Sequence, residues 1–190
     1  MALTSTIYKA DLQISDMVRN YYHDHILTIA CHPSETTERM MVRLLVFALH
    51  AHEALSFANK LIEEDEPDLW QKDLTGAIDV WIEIGQPAEK RIRKACGRAK
   101  QVYIYCYSGP SADIWWDQVK LGLERSRNLT VIKLPPDQTK AMGELALRNM
   151  HLQVTIQDGQ VWIGAKDNTM HIDMETVKSN EVVNLRNSHE

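Results

Sequence analysis

The chain has 190 residues, 44% hydrophobic and 25% charged, which fits one globular domain, or one domain with a small appendage. It has no apolar run near the ~18 residues of a membrane span, and its opening MALTSTIYKADLQ lacks a basic-then-apolar signal pattern. A net charge of -5 argues against indiscriminate nucleic-acid binding but leaves room for a local basic patch. Three widely spaced cysteines, Cys31, Cys96 and Cys106, with no CxxC, fit a reducing cytoplasm.

Leu3 to Gln13 alternates apolar and polar residues, and Ile26 to Ala30 is a second β-rich run. The pattern predicts an N-terminal strand pair joined through Ser15 to Asn20. His23 and His25 flank Asp24. An H-x-H pair on a strand puts both rings on one face, where they can bind metal. No third ligand with matching spacing follows, and the pattern favours two exposed edge-strand histidines. Ser34 is a good N-cap, and Glu35 and Glu38 suit the positive end of a helix dipole. The spacing predicts a long helix from Ser34 to about Ile62 with two apolar stripes, one of them through Val42, Val46, Leu49, Glu53 and Phe57. Glu53 in such a stripe needs a partner, a proton or a metal, unless the edge there is wet. Leu61 to Glu66 forms an acidic link.

The stretch from Pro67 to Pro87, PDLWQKDLTGAIDVWIEIGQP, reads as two strands around a Thr75-Gly76 turn. Ile78, Val80, Ile82 and Ile84 make a core face; Asp79, Trp81 and Glu83 make the other. A two-residue loop sets Asp68 opposite Glu83, Trp70 opposite Trp81 and Lys72 opposite Asp79. The aromatic pair and the Lys72–Asp79 pair are favourable cross-strand partners. Asp68 and Glu83, roughly 5 Å apart at Cβ, would repel unless a cation or a proton neutralised them, and Mg²⁺ sites often use one or two carboxylates. A solvated acidic hairpin face is the competing explanation. Pro87 opens a helix, Ala88 to Ala99, carrying Lys90, Arg91, Arg93, Lys94 and Arg98, a face able to meet phosphate or to be solvated among nearby acids. Strands follow at Gln101–Tyr107 and Leu129–Leu134, and helices at Ala112–Arg125 and Asp137–Ala146. Met150–Ile156, Val161–Gly164 and Thr169–Met174 alternate as strands with an Asp158-Gly159 turn, expected beside the N-terminal pair. The last ~15 residues read as a frayed polar tail.

Five stretches, IYKADLQ, CHPSETTERMMVRLL, the DEPDLW to IDVWIEIGQP hairpin, RIRKAC and TIQDGQVWI, are spread along most of the chain and resemble the YaeQ family. The resemblance implies a compact variant of the PD-(D/E)XK nuclease core. In that superfamily a helix acid, a strand Asp and a following Glu-x-Lys hold Mg²⁺ and hydrolyse phosphodiesters. The resemblance would set the helix acid at Glu53, the Pro-Asp at Pro67-Asp68 and the Glu at Glu83. Gly85 stands where the lysine belongs; Gln86 is close but uncharged, and Lys90 or Lys72 could supply a replacement from elsewhere.

The expected fold is therefore α+β: a single domain over residues 1–175 with a tail over 176–190, and a mixed sheet with flanking helices and extra N- and C-terminal strands. Two functions fit. One is a metal-dependent phosphodiesterase or nuclease, with Asp68 and Glu83 on Mg²⁺ or Mn²⁺, Glu53, Gln86 and Lys90 assisting, and Arg91, Arg93 and Lys94 on nucleic acid. The other is a non-catalytic nucleic-acid- or protein-binding regulator on a degenerate nuclease core. No membrane partner is expected.

Overall fold

The computed structural model describes residues 4–58 and 65–180. The elements run β1 (Thr6–Asp16), β2 (Tyr21–Cys31), α1 (Thr37–Leu49), β3 (Leu55–Phe57), β4 (Leu69–Lys72), β5 (Ile78–Ile84) and α2 (Glu89–Arg98). They continue with β6 (Ala99–Cys106), α3 (Pro110–Val119), β7 (Leu129–Lys133), α4 (Pro136–Glu144), β8 (Asn149–Gln157), β9 (Gln160–Ala165), β10 (Asn168–Ile172) and β11 (Glu175–Lys178). The chain is α+β, with two mixed sheets in two compact units where one central sheet was expected. Among the described residues no helix is long and apolar enough to cross a membrane.

The first unit takes residues 1–50 and 135–173. Its sheet has the order β10-β9-β8-β1-β2. β8 runs parallel to β1, so the C-terminal strands do lie beside the N-terminal pair. Asp158 and Gly159, at φ 50° and 76°, make the tight turn expected between β8 and β9. Alternation works as the pattern predicts: Ala10, Leu12 and Ile14 of β1 are buried, as are Met150, Leu152 and Val154 of β8. α1 is capped by Thr36, whose hydroxyl accepts the Arg39 N–H at 3.1 Å, rather than by Ser34. Met40 to Ala48 are all buried, as expected of a helix packed on more than one side. The helix ends at Leu49, well before Ile62; residues 59–64, with most of the acidic link, lie outside the described residues.

The second unit takes residues 51–134 and 174–190. Its sheet has the order β11-β7-β6-β5-β4-β3, with β5, β6 and β7 parallel. Parallel neighbours need crossovers, supplied by α2 and α3. Trp81, Val102, Ile104 and Val131 of the strands share a core with Ile92 and Ala95 of α2 and with Ala112, Trp115 and Val119 of α3. The face of β5 expected to present acids to solvent is therefore covered by helices. β5 is central, and Trp81, Ile82, Glu83 and Ile84 are buried on both of its sides. At the other end of the chain, Glu175 to Lys178, mostly inside the expected tail, pair with β7 instead, and the Asn180 N–H bonds the Thr130 hydroxyl at 3.2 Å.

Candidate functional site

The β4–β5 hairpin positions the acids. Trp70 faces Trp81 as predicted, with ring centroids 6.2 Å apart at 78°, an edge-to-face arrangement. The turn is longer than predicted. The Asp73 carboxylate accepts the Thr75 N–H (2.8 Å), the Thr75 hydroxyl (2.6 Å) and the Ala77 N–H (3.0 Å). The Asp73 N–H bonds the Ala77 carbonyl at 2.9 Å, which leaves three loop residues, Gly76 at φ +86° among them. A bulge restores the register between Gln71 and Lys72, so Lys72 faces Ile78 and not Asp79. The predicted Lys72–Asp79 pair is corrected accordingly. Asp79 meets Lys100 of β6 at 2.6 Å, and the Lys72 ammonium lies 3.4 Å from the Trp70 ring centroid.

Glu83 and Asp68 are both in the interior, at 0% and 2% exposure. Glu83 Oε1 accepts the Trp81 indole N–H at 2.9 Å and the Arg91 Nε–H at 2.8 Å, and Arg91 Nη2 lies 2.8 Å from the same oxygen. The same Nη2 also donates to the Glu66 carbonyl at 2.6 Å, beside Pro67-Asp68. Asp68 Oδ2 accepts the Ile84 N–H at 2.7 Å, tying the start of β4 to the end of β5. The carboxylates are thus engaged by protein donors, with Arg91 supplying the positive charge a metal was expected to bring.

The remaining predicted residues are dispersed. Glu53 is exposed in a turn beyond the end of α1 and is in no apolar stripe, because Leu55 to Phe57 leave the helix to pair with β4. This corrects the expected cluster of three acids. Among the described residues no group of three or more His, Cys, Asp or Glu side chains is placed to hold a metal. Gln86 is exposed and donates to the Ser111 hydroxyl (2.8 Å) and the Tyr107 carbonyl (3.3 Å), bracing the β6–α3 loop. Lys90 is exposed on α2. Arg93 meets Glu89 at 2.8 Å and the Gly122 carbonyl at 2.9 Å. Lys94 meets Asp65 at 2.6 Å and keeps the Asp65 carboxyl below its ordinary range through that bond and charge. Of the expected phosphate binders, Arg91 is turned inward on Glu83, and Arg93 and Lys94 hold local acids. Arg91 directly precedes buried Ile92 on α2, a sequence position that already borders the apolar stripe.

The YaeQ family model, described as "YaeQ protein", matches residues 1–174. The chain belongs to the YaeQ family. It is 44% identical to the Uncharacterized protein YaeQ of Salmonella typhi over 174 residues, covering 92% of this chain and 96% of that one. It is 42% identical to the Uncharacterized protein YaeQ of Escherichia coli (strain K12), with the same coverage. Among solved structures, the YaeQ protein from Xanthomonas axonopodis pv. citri matches with a TM-score of 0.89 at 46% identity, covering 93% of this chain and 99% of that one. The YaeQ protein from Pseudomonas syringae matches at 0.88 and 31%, covering 93% and 97%.

In this YaeQ chain the glycine at the expected lysine position has a backbone reason. Gly85 follows β5 at φ +106°, a left-handed conformation that side-chain-bearing residues rarely adopt. Its N–H reaches the Tyr105 carbonyl at 2.9 Å. A Cβ built there would meet nothing within 4 Å, so the conformation and not space selects glycine.

Proposed function

We propose that this YaeQ-family protein is a non-catalytic, protein-binding module built on a nuclease-like core whose acidic positions have become structural. One observation carries the reading: Glu83, fully buried, is neutralised by Arg91 on the next helix. A hydrolytic Mg²⁺ site needs carboxylate oxygens open to an octahedral ion, its waters and a phosphate. Glu83 Oε1 instead holds an indole N–H and a guanidinium, whose positive charge would repel a dication at the same oxygen. The pair as arranged does not fit the ion.

Two further features favour a protein partner over nucleic acid. Three α2 cations, Arg91, Arg93 and Lys94, are matched by Glu83, Glu89 and Asp65, which lowers the charge left for phosphate contacts. The chain as a whole carries a charge of -5.

The test is a comparison of purified wild type and Glu83→Gln on labelled single- and double-stranded DNA and RNA, with Mg²⁺ and with Mn²⁺. The expected result is no cleavage and no retention of nucleic acid by wild type. Cleavage by wild type that Glu83→Gln abolishes would overturn the reading in favour of a metal-dependent phosphodiesterase. Nucleic-acid binding that Lys90→Glu/Arg93→Glu weakens would replace the protein partner with a nucleic-acid one.

A further inference from the structure

We propose that Tyr21, His23 and His25 form a binding site for a divalent d-block cation such as Zn²⁺ or Cu²⁺, with the two imidazoles as ligands and the Tyr21 hydroxyl as the positioning group. The site lies on β2, an edge strand of the five-stranded sheet. β1 and β2 pair without a bulge from Thr6↔Cys31 to Asp16↔Tyr21, so residues 21, 23 and 25 share one face. Their side chains converge on that face. The His23 and His25 ring centroids are 6.3 Å apart, and Tyr21 and His23 are 4.6 Å apart. The Tyr21 hydroxyl reaches past His23 to lie 2.8 Å from His25 Nε2.

A Zn–N bond of about 2.0–2.1 Å puts an imidazole centroid about 3 Å from the ion, so two rings on one ion at a tetrahedral angle are about 5 Å apart. The observed 6.3 Å separation closes to this by rotation of His23, whose side chain is exposed. His25 is the fixed ligand, with its ring edge-on to Phe47 at 5.2 Å. A histidine ligand is ordinarily oriented by a hydrogen bond at its other nitrogen. When His25 Nε2–H donates to the Tyr21 oxygen, Nδ1 is the bare ligand nitrogen.

Several other described histidines are committed elsewhere. His32 bonds Ser34 at 2.6 Å, His52 accepts the Ala54 N–H at 3.0 Å, and His151 and His171 lie beside Asp11 and Asp173. Two protein ligands leave coordination positions to water, so the site is an exchangeable one of micromolar class, unlike a closed structural site.

The experiment titrates tag-free protein with ZnCl₂ and, separately, CuCl₂ in a non-coordinating buffer, by calorimetry and by histidine NMR. The expected result is one site with a Kd near 10 µM (order of magnitude, roughly) and shifts in the His23 and His25 resonances. His23→Gln and His25→Gln should each weaken binding at least about tenfold, Tyr21→Phe about threefold, and His151→Gln not at all. Affinity unchanged in His23→Gln, or a Kd weaker than about 1 mM for both metals, would overturn the site. His23 is exposed, so His23→Gln keeps the fold and decides the matter even if His25→Gln does not.

Discussion

Gly85 and His50 show how single residues are chosen by backbone and burial. Gly85 sits at φ +106° with open space around its Cα, so Gly85→Lys, which restores the residue type of the nuclease pattern, should cost about 1–2 kcal/mol of left-handed strain. Urea denaturation checks the cost, and the same variant should gain no cleavage. His50, at the end of α1, is pushed down to about 3 by burial and then by the Arg19 charge. A group whose folded pKa is depressed binds its proton preferentially in the unfolded chain. Its stabilising effect is complete above the unfolded value of about 6.5 and is lost as pH falls toward 3. Part of the residue still meets solvent, so the loss between pH 7 and pH 5 should be about 1–2 kcal/mol, at the lower side of the full linkage value. Melts across that range should show it, and His50→Gln should flatten the slope. At this scale the sequence was readable where a partner is local: the Trp70–Trp81 pair follows from alternation alone. Arg91 as the partner of Glu83 was not, because an i+8 contact across a strand–helix turn depends on how the crossover lays α2 on the sheet.

Elements were easier to read than their ends. The two N-terminal strands, α2, β6, β7 and the C-terminal meander all follow from period-2 and period-3.6 patterns. The overlong helix is the instructive failure. Leu55 and Phe57 continue the apolar spacing of α1, but they belong to β3, and a helical period cannot separate a stripe from a short strand that follows it. Glu53 was placed in the site by that error. The hairpin turn failed for a different reason. Thr75-Gly76 reads as a two-residue loop until the Asp73 side chain is allowed to capture two amides and a hydroxyl; that Asx-type capture fixes the three-residue loop and the compensating bulge. Asp73→Ala should therefore lower the Tm, while Asp73→Asn, which keeps the acceptor oxygen, should retain most of it. Equal losses in both would mean that the carboxylate charge, and not the hydrogen bonds, sets the turn.

For the whole molecule, inward ion pairs replace surface charge with internal ties in both units. In the first, Glu35, with a fully covered side chain, is held by Arg43 at 2.7 Å and by Arg39 at 2.8 Å, and Arg43 also donates to the Ala30 carbonyl at 3.0 Å. In the second, Glu83 is held by Arg91. The sequence reading put Asp68 and Glu83 in mutual repulsion, for which Glu83→Gln would be neutral or stabilising. With Arg91 in place the sign reverses, since removing one partner of a buried pair leaves the other charge uncompensated. The most direct measurement is a double-mutant cycle by urea denaturation: wild type, Glu83→Gln, Arg91→Met and the double variant, each with EDTA and with Mg²⁺. Each single variant should lose about 3 kcal/mol, somewhat less than a fully buried pair because the Arg91 side chain is 23% exposed. The double variant should lose less than the sum of the two, and Mg²⁺ should change none of the values. A stable Glu83→Gln, together with a wild type that Mg²⁺ stabilises and EDTA weakens, would contradict a structural role for Glu83.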